Sequence, residues 1–100
     1  MSKQLYLMAH FELNRPDEIA STFAEHAKAS RAKPGCLFFY LIRDRDNPAK
    51  FATMECWENY DYFEQHVADE EHSTFQEKLK PYKQREPDVM ECDLVMGMEG

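Results

Sequence analysis

Glycine is scarce in this chain of 100 residues: there are three, and only Gly35 is internal. A loop that cradles a phosphate needs glycines so that backbone N–H groups can approach closely. No GxGxxG, P-loop or GxSxG pattern occurs. Cysteine is equally sparse. Cys36, Cys56 and Cys92 are odd in number, widely spaced and free of any CxxC pair, which excludes a disulfide framework and a zinc ribbon. Three reduced thiols that pack as small apolar side chains are expected. Positive charge is in deficit, with 12 Lys and Arg against 19 Asp and Glu and a net charge of −7. Nucleic acids and anionic membrane surfaces both reward clustered cations, so neither is an expected partner. No apolar run approaches the roughly 20 residues of a membrane span. The opening MSKQLYLMAHFE has no secretory apolar core. A soluble, cytoplasmic protein is the expectation.

Aromatic residues are plentiful, at 13%, and must be buried in a core, an interface or a pocket. Leu5 to Glu12 alternates as a strand, with Leu5, Leu7, Ala9 and Phe11 on one face and Tyr6, Met8, His10 and Glu12 on the other. Asn14-Arg15-Pro16-Asp17-Glu18 starts a helix, since proline suits its first turn and acids suit the positive end of its dipole. Ile19, Phe23, Ala27 and Ser30 recur at helical spacing until Pro34-Gly35 ends it. Cys36 to Ile42 is an apolar run of strand length that requires cover on both faces. A polar turn, Arg43 to Pro48, returns the chain into Phe51 to Trp57 as a hairpin. Asn59 caps a helix carrying Tyr60, Phe63, His66 and Val67. Asp69-Glu70-Glu71, read as a solvated helix start, opens a further stretch that presents Phe75, Leu79 and Tyr82 until Pro81. A last strand is expected over Val89 to Met96, then a loose tail from Gly97 to Gly100.

The order strand, helix, strand, strand, helix, strand predicts a ferredoxin-like α+β domain with one antiparallel sheet. One domain spans residues 1–100, with its core at about residues 4–96. Helices cover one face of such a sheet. The other is too apolar to remain wet, and a second copy of the sheet is the simplest cover, so a homodimer is expected.

Several segments, taken together, resemble the antibiotic biosynthesis monooxygenase (ABM) family. These are Arg31 to Tyr40 (RAKPGCLFFY), Asp44-x-x-Asn47-Pro48, Phe51-x-x-x-Glu55-x-Trp57, His66, and His72-x-x-Phe75. Their order extends the resemblance over about residues 5–95. It implies a dimeric α+β barrel with a pocket between the sheet and the helices of each monomer. It also implies a cofactor-free oxygenase of quinols or polyketide-like aromatics, with O2 as co-substrate. Other branches of the family degrade haem, and others isomerise small carbonyl compounds. The haem-degrading branch relies on Asn, Trp and His, where this chain has His10, His66 and Gln76, so haem degradation is not expected.

His66 is the first candidate for chemistry. A neutral imidazole near pH 7 can take a proton from a phenol or quinol, and the electron-rich anion can then pass an electron to O2. The alternative is a hydrogen-bonded histidine under the helix. Glu55 on an apolar strand needs a partner; it could orient His66, bind a substrate hydroxyl, or serve a cap or salt bridge. Trp57 is expected to line a flat aromatic slot, or else to be a core aromatic. His10, Tyr40, Phe38, Phe63 and Tyr62 are expected around the same small aromatic molecule. His26 and His72 read as surface or half-buried. With no HxH or HxxxH spacing, no metal site is expected. Two further functions share these residues: proton transfer on a small carbonyl compound, and non-catalytic binding of a small ligand by the dimer.

Overall fold

The computed structural model describes residues 3–97. Its elements are β1 (Leu5–Glu12), α1 (Pro16–Arg31), β2 (Cys36–Arg43), β3 (Lys50–Trp57), α2 (Tyr60–Ala68), α3 (Glu70–Leu79), a 3-10 turn at Lys80–Tyr82, and β4 (Asp88–Cys92). The sheet runs β2-β3-β1-β4, and every neighbouring pair is antiparallel. This is the expected ferredoxin-like order. No described helix is long and apolar enough to cross a membrane.

Local chemistry explains most element boundaries. Asp44 Oδ2 accepts from the backbone N–H groups of Asp46 and Asn47, and Asn47 Oδ1 accepts from that of Ala49, which closes the β2–β3 turn. Asn59 Oδ1 accepts from Tyr62 N at 3.2 Å and caps α2, as its side chain suggested. Asp69 Oδ1 accepts from His72 N at 2.9 Å, so one helix stops and the next starts at this residue. Gly35 has φ +78°, and a Cβ there would drive into the Tyr62 ring, so this turn needs glycine.

Alternation in β1 sends Leu5, Leu7, Ala9 and Phe11 under the helices. They join two clusters. One gathers Phe11, Phe23, Phe51, Phe75 and Leu79; the other gathers Leu5, Ala27, Phe39 and Trp57. Strand β4 is shorter than expected, ending at Cys92 rather than Met96. Its antiparallel register reaches Tyr6 at Cys92, where β1 has almost run out. Among the described residues, Leu94, Val95 and Met96 pair with no strand, and they lie exposed. Of the expected tail, Met98 to Gly100 lie outside the described residues.

Candidate active site

Between the helices and the sheet lies a cavity of about 360 Å³, within the usual range for small-molecule sites. Phe11, Phe23, Phe39, Phe63 and Phe75 give it aromatic walls, and His26, Glu55, His66 and His72 bring polar atoms to it. An outer groove of about 490 Å³ runs between α1 and α3 and shares His26 and Phe75 with the cavity. Those two rings stack face to face, with centroids 3.9 Å apart and planes 3° apart, and form a partition between the two spaces. The outer groove is the larger, but the aromatic walls belong to the inner cavity, which we take as the site.

Lys33, in the turn after α1, organises the polar groups. Its Nζ donates to His66 Nδ1 at 2.8 Å, to Asp69 Oδ2 at 3.0 Å and to Glu71 Oε1 at 2.6 Å. An ammonium has three N–H groups and no lone pair, so these three acceptors satisfy it. His66 Nδ1 must then be the unprotonated nitrogen, which leaves the proton on Nε2. Burial, followed by the charges of Lys33, His72 and His26, pulls the His66 pKa down to about 3. His66 is thus a neutral N–H donor rather than the expected proton acceptor.

His26 is the opposite tautomer. Its Nδ1 lies 2.8 Å from Glu71 Oε2. An ionised carboxylate only accepts, so Nδ1 carries the proton. Burial lowers the His26 pKa, and the Glu71 hydrogen bond and charge oppose the shift. Glu71 itself is raised by burial, but the hydrogen bonds from Lys33 and His26 outweigh this and hold it below its ordinary value. Asp69 is lowered by the same competition, with His72 N and Lys33 as donors. The rings of His26, His66 and His72 form a triangle, with centroid separations of 5.8, 5.9 and 4.9 Å. Among the described residues, no three His, Cys, Asp or Glu side chains are arranged to hold a metal ion. The Lys33 ammonium occupies the centre of the acidic groups, where a cation would sit.

The remaining expected site residues divide between the two faces of the sheet. Glu55 is buried under the helices, but its partners are not His66. Its Oε1 accepts from Trp57 Nε1 and its Oε2 from Thr53 Oγ1, both at 3.0 Å. Burial raises its pKa against these two donors. Trp57 is 0% exposed and stacks on His66 at 4.7 Å. It backs the histidine instead of lining the slot. Phe63 lines the cavity. Tyr62 does not, because its ring packs over Gly35. Phe38, Tyr40 and His10 lie on the opposite face of the sheet, paired across strands with Cys56, Met54 and Ala52. Phe38 and Tyr40 stack on each other at 5.1 Å. In this protomer they are therefore separated from His66 by the sheet itself.

Four members of the polar cluster were not recognised as such from the sequence. His26 is 5% exposed, not a surface residue. Its spacing from Ile19, Phe23 and Ser30 places it on the buried stripe of α1, and that signal was readable. Asp69 and Glu71 are about a third exposed and pair with Lys33, while Glu70 of the same run is exposed. Lys33 sits just past the end of α1, where a cation suits the helix dipole, and nothing local marks its partners 33 to 38 residues away.

Residues 11–78 match the antibiotic biosynthesis monooxygenase family. No curated protein matches the chain. Among solved structures, PA3566 of Pseudomonas aeruginosa superimposes with a TM-score of 0.87 at 22% identity, covering 96% of this chain and 98% of its own. SnoaB of Streptomyces nogalater, a cofactor-independent oxygenase, does so with a TM-score of 0.86 at 18% identity, covering 99% and 100%. Rv0793 of Mycobacterium tuberculosis gives 0.81 at 16% identity, covering 96% and 99%. At these identities the likeness is one of fold.

Proposed function

The chain belongs to the antibiotic biosynthesis monooxygenase family, and from that premise we propose that it places one oxygen atom of O2 into a small hydroxylated aromatic, without a resident cofactor. The observation that carries this reading is the aromatic-walled cavity into which Lys33 fixes His66 as a neutral N–H donor. A phenol or quinol becomes reactive toward O2 as its anion, and that anion can give up an electron without flavin or metal. An anionic oxygen needs a preorganised donor in a place from which water is excluded. Trp57 stacked beneath the ring and Lys33 on its far nitrogen hold His66 ready for that role. The resemblance in fold to a cofactor-independent oxygenase supports the same reading.

The functional unit in this proposal is a homodimer. Tyr40, Ile42 and Met90 are about half exposed, and they sit on the sheet face that carries no helix. A second copy of that face would cover them.

Oxygen uptake by the purified protein with hydroquinones and anthrone-like phenols tests the activity. Saturable uptake is expected, and His66→Ala should lower it about a hundredfold or more, the scale of a lost oxyanion donor. Uptake no faster than autoxidation would remove the oxygenase reading for those substrates. Retained ligand binding would then favour a small-molecule-binding dimer.

A further inference from the structure

If His66 donates, a different group must accept the substrate's proton. We infer that this group is His26, held in place by Glu71, and that His26 and His66 act as an acceptor–donor pair on one substrate hydroxyl; the inference rests on the oxygenase reading above.

The geometry distinguishes His26 from His66, Glu55 and His72 at the same cavity. Glu71 Oε2 holds its Nδ1–H at 2.8 Å, so its Nε2 keeps a free lone pair. No described residue hydrogen-bonds that nitrogen, and the one sealed, unpartnered side-chain polar atom among the described residues is Ser30 Oγ. His26 lines the cavity, with its ring centroid 5.8 Å from that of His66. The two ring planes are 28° apart, and the pair holds one substrate hydroxyl between its two Nε2 atoms. His66 has its lone pair taken by Lys33. Both oxygens of Glu55 are engaged by Thr53 and Trp57. Among the described residues, no carboxylate hydrogen-bonds the His72 ring, whose Nε2 lies 3.5 Å from Gln76 Nε2. The charges that face His26 are Glu71, Lys33 and Asp69, with His66 and His72 as the neighbouring imidazoles. A carboxylate behind an imidazole fixes its tautomer and stabilises the imidazolium that forms. Glu71 is 35% exposed at the outer groove, on the far side of the His26–Phe75 partition.

The step balances as follows for a phenol whose para carbon bears hydrogen. His26 Nε2 takes the O–H proton, and His66 Nε2–H holds the resulting phenolate oxygen. The phenolate passes one electron to O2, and the radical pair combines into a C–O bond at the para carbon. The imidazolium of His26 returns its proton to the terminal peroxide oxygen. The O–O bond then breaks as the para C–H gives its electron pair to the new carbonyl and its proton to the departing hydroxide. One oxygen atom stays in the quinone and the other leaves as water.

Two measurements on the full chain test the pair: the pH profile of kcat/KM for oxygen uptake, and the absorbance of 4-nitrophenol bound at a pH where the free phenol is un-ionised. Wild type is expected to bind the probe as its phenolate and to show an acid limb below the ordinary histidine range. Glu71→Gln should lower kcat on the order of tenfold, shift the acid limb to lower pH and reduce the bound phenolate. Glu71→Asp should restore part of all three. Glu70→Gln, an exposed neighbour, should change none. His26→Gln should lower kcat about a hundredfold or more; if it does not fold, the Glu71 pair decides the matter. Glu71→Gln with the wild-type limb and the wild-type phenolate signal overturns the inference, as does a probe that fails to bind or binds un-ionised. If phenolate forms as expected but no oxygen is consumed, the oxygenase reading fails and the acceptor assignment stands.

Discussion

The two faces of one sheet have opposite fates in this molecule. Under the helices, Leu7, Phe39, Phe51 and Trp57 are sealed within the chain. Most polar groups among them are paired, Glu55 with Thr53 and Trp57 and Lys33 with His66, Asp69 and Glu71, while Ser30 Oγ is sealed without a partner. On the other face, Tyr40, Ile42 and Met90 meet solvent. The residues are drawn from the same strands, alternating one by one. A face closed by its own chain can carry buried polar chemistry, because each donor and acceptor finds a partner before water is excluded. A face left open leaves its side chains to solvent.

The largest expected effect on stability comes from the closed face. Trp57→Ala should cost about 3–5 kcal/mol, since it leaves a void and removes a donor from buried Glu55. Urea unfolding measures it, and a loss under about 1 kcal/mol would mean that the core there is looser than described. Gly35→Ala should cost about 1–3 kcal/mol, because the turn needs positive φ and a Cβ meets Tyr62. Tyr62→Ala in the same chain should recover the steric part but not the backbone part.

Acid should weaken the closed face next. Unfolded His66 takes its proton near its ordinary value of 6.5, whereas folded His66 takes it at about 3. Between these pH values the unfolded chain binds more protons, so stability falls as pH falls, by up to about 1.4 kcal/mol per pH unit from this residue. His26 and His72, both lowered, act in the same direction. Glu55, raised by burial, opposes them. Thermal melts from about pH 7 to pH 5 should therefore show a falling Tm. A flat profile would mean that the histidines are not buried in solution.

The smallest effect on the chain itself is expected on the open face. Tyr40→Asp should change protomer stability by about 0.5 kcal/mol or less. In a homodimer the unfolding midpoint depends on protein concentration, and the same substitution should abolish that dependence. A wild-type midpoint independent of concentration would break the comparison, leaving the open face uncovered in solution.

Much of the fold was legible in the residues. Alternation in β1, the helical stripe of α1, the Asn59 cap and the Pro34-Gly35 stop each act locally, and each lies where its chemistry put it. The end of β4 was not legible, because pairing stops where the neighbouring strand runs out. The site was half legible. His66, Glu55 and Trp57 were recognised and lie together. Their hydrogen-bond partners were not legible, because partnership depends on which atom faces which in the fold.

The sequence by itself determined the elements, their order and the demand for cover on two apolar faces, since those follow from periodicity and turn chemistry along the chain. Only the tertiary structure decided which face holds the cavity. The strands are apolar on both sides, and their registers settle the choice. It also decided that Lys33 meets His66 and that Glu71 meets His26. Those contacts span 33 and 45 residues, a separation at which no local pattern carries information.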